Sequence, residues 1–367
     1  MITLDRNRKP VFRPGSEEIH HPRRMASRSS ARPECNDECD TIASRRDLLR
    51  PVLWSVGGVL VALAASLDRS NLLTAAERTA PAFLTLAVVI AGGAIADRWG
   101  AFRFLATVVL APRVPALLAS ASVLTFTALI SGIVNLDVAA VVAPPLAVQV
   151  ATRRGLNSSR LVIATALTTN ATSFLLPTSN LTNLLVLDQS QISTLDYLRQ
   201  GWAAWLLVTV ITVACLALLS RQSTKHPPSL SPRRTAARSI LPTILDLLPM
   251  FVIASAVRAL LAGGLTFHGG FLAQFVFGSL LAAGANNLPA AAAVRTVVAA
   301  NPWATIWAMA MGPNLLVTGS VASIICRRSA LDLGVRFESG TFSVLGAAML
   351  PLQFLAACAG LALVRLG

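Results

Sequence analysis

Lysine is almost absent from this chain: among 367 residues only Lys9 and Lys225 occur. Neither stands in a GxxxxGK[ST] loop, so there is no Walker A site and no ATP chemistry of that kind. Histidine is as sparse. His20, His21, His226 and His268 form no HExxH pattern, which removes the usual metallohydrolase signature. The five cysteines make no framework. Cys35 and Cys39 sit together in ECNDEC, where two thiolates can share a soft metal, but no second pair completes four ligands. Cys215, Cys326 and Cys358 stand singly in or beside apolar segments. Neither a metal site nor a cofactor is expected.

Charge is scarce as well, at 13% of residues against 54% hydrophobic, and the mean hydropathy is +0.64. Several apolar runs approach the roughly 20 residues that a bilayer-crossing helix needs. They are apolar all round, unlike the faces of a soluble helical core. A multi-pass membrane protein follows, with lipid as its first partner. The net charge of +14 does not indicate nucleic acid, because the basic residues lie in short loops between apolar runs rather than along one face.

The apolar segments run over about 51–67, 82–96, 115–151, 160–186, 202–220, 244–262, 269–300, 303–326 and 343–363. Residues 1–50 are rich in Arg, Ser, Pro and acids and read as a disordered cytoplasmic tail, with Met25 as an alternative start. Two segments exceed one span and carry polar tips, NLD at Asn135–Asp137 and ANNLPA at Ala285–Ala290. Each reads as a helical hairpin that enters and leaves the bilayer on one side. With the tail inside and both hairpins re-entrant, the loops holding Arg98, Arg103 and Arg113, then Arg153, Arg154 and Arg160, then Arg221, Lys225, Arg233, Arg234 and Arg238, then Arg327, Arg328 and Arg336 all fall inside. The opposite loops are near neutral, as the positive-inside rule requires. A plasma-membrane protein with a cytoplasmic N-terminus is the expectation.

This topology makes the halves inverted: 51–220 is a first repeat, 221–243 a basic cytoplasmic linker and 244–367 a second repeat. In each half a polar-tipped hairpin precedes a helix interrupted at its middle, TTNATSFLLPTSNLTNLL and then MGPNLLVTGSVAS. The expected fold is therefore an all-α integral membrane protein of two inverted-topology repeats, each with a re-entrant hairpin and a discontinuous helix. Paired discontinuous helices point to a secondary transporter with its site where the breaks meet.

Backbone freed by a break in hydrocarbon costs several kcal/mol per unsatisfied group, so a break persists only where protein or a watery cavity surrounds it. Thr178, Ser179, Asn180 and Asn183 offer hydroxyls and amides beside the first break, and Pro313, Asn314, Thr318, Gly319 and Ser320 form the second. Asp137, at the first tip, is a carboxylate deep in an apolar context, a candidate for ion coupling. The same position also suits a helix cap. Arg258 is expected to snorkel or pair near the outer end of its span, and Arg295 to meet Asp137 or face outward.

NLDVAAVVAPPLA with LLPTSNLTNLLV, and NNLPA with GPNLLVTGSVAS, together resemble the arsenical-pump membrane proteins, arsenite-efflux permeases of the wider ion transporter superfamily. The resemblance runs in order through most of residues 80–330. It implies proton-coupled export of arsenite or antimonite, sometimes with a separate ATPase subunit. It also implies Asn135 and Asp137 as first tip, Thr178, Ser179, Asn180 and Asn183 as first break, Asn286 and Asn287 as second tip, and Asn314, Thr318, Gly319 and Ser320 as second break. The chain departs from the family in the short stretch Ile244–Gly270, one span fewer. A sodium/proton antiporter or a sodium-coupled organic anion carrier of the same superfamily is the alternative, and a membrane enzyme or non-transporting scaffold is the other class. A homodimer is left open.

Overall fold

The computed structural model describes residues 36–99, 114–190, 192–220, 240–261, 269–294 and 301–366. Cys35, Arg295 and most of the 221–243 linker lie outside the described residues. Those described are helical, without strands: α1 (Asn36–Leu67), α2 (Arg69–Arg98), α3 (Ala116–Leu129), α4 (Leu136–Arg154), α5 (Ser158–Ala171), α6 (Leu181–Leu187), α7 (Thr194–Ser220), α8 (Ile240–Leu260), α9 (Phe271–Ala285), α10 (Asn287–Ala293), α11 (Pro302–Met311), α12 (Val321–Asp332) and α13 (Ser339–Leu366). Among the described residues, four stretches are long and apolar enough to cross a membrane: Ala116–Val134, Leu136–Arg154, Thr194–Ser220 and Ser339–Leu366. The α1 helix begins at Asn36, earlier than the tail boundary at residue 50; no Pro or Gly stands between Asn36 and Arg50 to stop it.

The first hairpin is α3 and α4. Its ascending arm ends in a π turn, Ile130–Val134, closed by the Asn135 amide on the Ile130 carbonyl. The turn brings Gly132 against the indole of Trp205, where a Cβ would lie 2.8 Å from Nε1. Farther along, Pro144 cannot donate to the Ala140 carbonyl one turn back. The Cys326 thiol of α12 donates to that freed oxygen at 3.6 Å.

Long scaffold helices hold these parts. At Gly360 of α13 a Cβ would stand 2.4 Å from backbone atoms of Ala204 in α7, so the two helices cross backbone to backbone, as small residues permit in membranes. Lower in the same crossing, the Gln353 amide donates to the Thr212 hydroxyl at 3.0 Å, both buried. The α2 helix packs on α8. It starts at Asp68, whose carboxylate accepts from the Ser70 hydroxyl and the Asn71 amide N–H, and these two bonds hold its carboxyl below the usual carboxylate range.

Arg258 pairs. On α8 it meets Asp188, which caps the end of α6. The pair is lopsided: the Arg258 side chain is 2% exposed and that of Asp188 47%. Removing the partner of a buried charge strands it, whereas an acid left alone at this site still meets solvent. Asp188→Asn is therefore expected to lower unfolding stability by about 3 kcal/mol, clearly more than Arg258→Leu does. The double variant recovers most of the loss. Thermal unfolding of the purified protein in detergent reads all three.

Candidate functional site

Each break follows the same backbone path. Leu176 and Leu316 are extended (φ −104, ψ 149; φ −138, ψ 141), short 3-10 turns cover Pro177–Ser179 and Val317–Gly319, and extended Asn180 and Ser320 (ψ 134 and ψ 141) start the next helices. LPTSN and LVTGS thus correspond residue by residue, from Leu176 and Leu316 to Asn180 and Ser320. Each of the two caps does the same work, accepting from the amide two residues on: Asn180 from Thr182 at 3.1 Å and Ser320 from Ala322 at 3.2 Å.

The hairpin tips dock on the breaks through one repeated bond. Asn135 Nδ2 donates to the Thr178 carbonyl at 3.3 Å, and Asn286 Nδ2 donates to the Thr318 carbonyl at 3.0 Å. Both asparagines also cap the helix that leaves the tip, taking the Asp137 amide at 2.8 Å and the Leu288 amide at 3.3 Å. The tips differ in strain. Asn135 is extended at φ −175, while Asn286 has φ 73 and ψ 144, a region nearly confined to glycine that costs on the order of 1–3 kcal/mol.

The carbonyls that the first break frees are met by protein. Thr172 O accepts from the Trp205 indole at 2.8 Å, and Phe174 O from the Tyr197 hydroxyl at 2.8 Å, both donors coming from α7. Ser173 O accepts from Asn183 Nδ2 at 2.9 Å and lies 2.8 Å from Ser179 Oγ. Leu176 O lies within reach of the same two side chains. So Ser179, Asn180 and Asn183, all expected to meet substrate, spend most of their hydrogen bonds on the loop itself, although Asn183 Oδ1 is buried with no partner. The second break folds more tightly. Gly319 lets the turn lie on Pro313, where a Cβ would be 2.8 Å from the Pro313 carbonyl oxygen. Opposite it, a Cβ at Gly346 of α13 would stand 1.8 Å from the Asn314 carbonyl oxygen.

Groups with open access remain. Thr178 and Asp137 are half-buried, Asn286 is half-buried, and Thr318 is exposed. Asn287 is buried at the first position of α10. No lysine or arginine stands in either tip or break. Among the described residues no three His, Cys, Asp or Glu come together as metal ligands. The half-helices after the breaks are exchanged: α6 packs on α10 and α11, and α12 packs on α4 and α5. Sequence reasoning passed over Asn170, Ser173 and Ser323, which are all buried. For Asn170 and Ser173 the crowding of polar residues in TTNATS was the available signal.

If the first break depends on aromatic donors from α7, Trp205→Phe strands the Thr172 carbonyl and is expected to cost about 1–3 kcal/mol, as is Tyr197→Phe at Phe174. Trp202→Phe, on the exposed face of the same helix, changes stability by less than about 0.5 kcal/mol. Thermal unfolding in detergent separates them; equal effects of Trp205→Phe and Trp202→Phe would remove the donor role.

A search of curated proteins returned no significant match. The family model for citrate transporters, CitMHS, matches residues 42–318, a span that includes both hairpin tips, the whole first break and most of the second. It supports the transporter reading and does not single out the arsenical-pump permeases. On that match and this all-helical architecture, the chain belongs to the CitMHS citrate transporter family, a family of secondary membrane transporters.

Proposed function

We propose that the protein is a secondary carrier that moves a small, oxygen-rich anion of the citrate kind, coupled to a cation that binds at Asp137. The observation that carries this reading is the repeated docking of a hairpin-tip asparagine on a break carbonyl. It gathers two helix starts at each of two places, every start capped by an asparagine or a serine. Helix N-termini favour anions, and α4 and α12 are long enough to express that dipole. Thr178, Thr318 and Asn287 supply hydroxyl and amide groups for carboxylate oxygens. Because no lysine or arginine balances Asp137 in the tips or breaks, a cation bound there with the anion keeps the charge of the loaded site low.

Topology is part of the proposal. Arg153, Arg154 and Arg160 flank the turn between α4 and α5, and Leu156 of that turn shares a core with Val335 and Phe337 after α12. The start of α3 lies at the same end, since Ser120 meets the Ala217 carbonyl near the close of α7. These basic turns suit the cytoplasmic side.

A second reading is export of arsenite or antimonite with a proton. It is favoured by the lack of a cationic side chain in the tips and breaks, which suits a neutral trihydroxide.

Reconstituted vesicles decide between them. Citrate uptake under an imposed proton or sodium gradient, with arsenite in parallel, is expected to show gradient-dependent citrate accumulation. Arsenite movement without citrate would establish the second reading, and movement of neither would return the protein to the scaffold class. Asp137→Asn is expected to abolish the dependence on the gradient while citrate exchange at equal concentrations persists. Unchanged accumulation in that variant would remove the coupling role.

A further inference from the structure

Asn170 lies one residue from the end of α5, buried at 1% exposure. Its Nδ2 donates to Asn314 Oδ1 at 2.9 Å and to Ser323 Oγ at 2.8 Å. Asn314 Nδ2 answers by donating to the Leu167 carbonyl, a turn earlier in α5, at 3.0 Å. One side chain of the first half thereby holds the second break at both ends, at Asn314 where it begins and at Ser323 just beyond it. On its other side Asn170 belongs to the first break. Its carbonyl accepts from Ser173 Oγ at 2.8 Å, and Ser173 Oγ accepts from Asn180 Nδ2 at 3.1 Å. An unbroken run of hydrogen bonds therefore leads from the cap of α6 to the first turn of α12.

Matching LLPTSN to LLVTGS places Asn170 against Ala310, and Asn314 against Phe174. Neither counterpart can make the bridge, so the structure contains it once. Asn170, Ser173, Asn314 and Ser323 are all buried. Parting them without replacement would leave amide hydrogens unpaired in an apolar interior, which is costly. Shifting the two breaks apart is thus costly.

We propose that Asn170 is a positioning residue that makes the two breaks rearrange as one unit, so that a change at the site of one is felt at the other. This rests on the carrier reading above. The bridge is a physical link between two elements, and coupling across it is measurable by a double-substitution cycle.

The test uses the full chain with its native cysteines replaced and one introduced by Thr318→Cys, labelled in membrane vesicles with a water-soluble maleimide. Asn180→Ala perturbs the first break, and the labelling rate at position 318 is read with and without it. With Asn170 present, the perturbation is expected to change that rate by about threefold or more. In an Asn170→Leu background, which keeps the volume and loses both donors, the change should vanish. Ser323→Ala, which deletes one acceptor only, should reduce it. An equal change in all three backgrounds, or none with Asn170 present, overturns the proposal. Should Asn170→Leu fail to fold, Ser323→Ala decides alone: an undiminished change there overturns it. In reconstituted vesicles Asn170→Leu is also expected to lower the number of cations moved per citrate. Wild-type protein that moves no citrate would overturn the carrier reading, and the labelling cycle would still judge the bridge.

Discussion

A backbone carbonyl released inside a bilayer has no water to turn to, and the two interrupted helices release many of them. At the first break the debt is met from three directions: aromatic donors on α7, the loop's own Ser179 and Asn183, and the amide of a hairpin tip. The second break meets it chiefly by tight turns, with glycine at the point of closest approach and one tip amide completing the set. Scaffold, hairpins and breaks therefore form one accounting. An α7 helix without Trp205 and Tyr197 leaves the Thr172 and Phe174 carbonyls without the donors that meet them here.

This requirement also explains the exchange of half-helices. A segment as short as α6 cannot bury itself, and it finds its apolar neighbours in α10 and α11 of the other half, while α12 finds its own in α4 and α5. Each half completes its partner. The buried asparagines are then sited where short helices from the two halves of the chain converge, and in such a place a polar side chain can specify one arrangement of many apolar surfaces that would otherwise pack in several ways. The ion pair of Arg258 and Asp188 extends the same logic to the far end of α6, tying it to α8.

Much of this was legible in the residues themselves. Polar tips at NLD and ANNLPA and breaks at LLPTSN and LLVTGS stand out because an apolar run has no other reason to stop there, and all four are where the chain turns. The pairing of Arg258 was anticipated in kind, though not its partner Asp188. Less legible was the division of labour. Ser179, Asn180 and Asn183 read as substrate groups because sequence shows a side chain's chemistry and not the carbonyl it faces. Trp205 and Tyr197 gave no signal, since an aromatic in an apolar span looks like core until its N–H or O–H finds a partner. The passenger was hardest: the residue likeness suggested a metalloid permease, and the family match speaks of citrate, because amides and hydroxyls serve either.

Contact between α13 and the second break leaves no clearance. With the Gly346 position pressed on the Asn314 carbonyl, and Phe342 and Met349 buried one turn to either side of it, a side chain at 346 would have to displace the backbone of the second break. The second break is seated on α13 at this point, and α13 is itself seated on α7 at Gly360. Two glycines thus stack the second break, α13 and α7 with no room for a side chain at either contact.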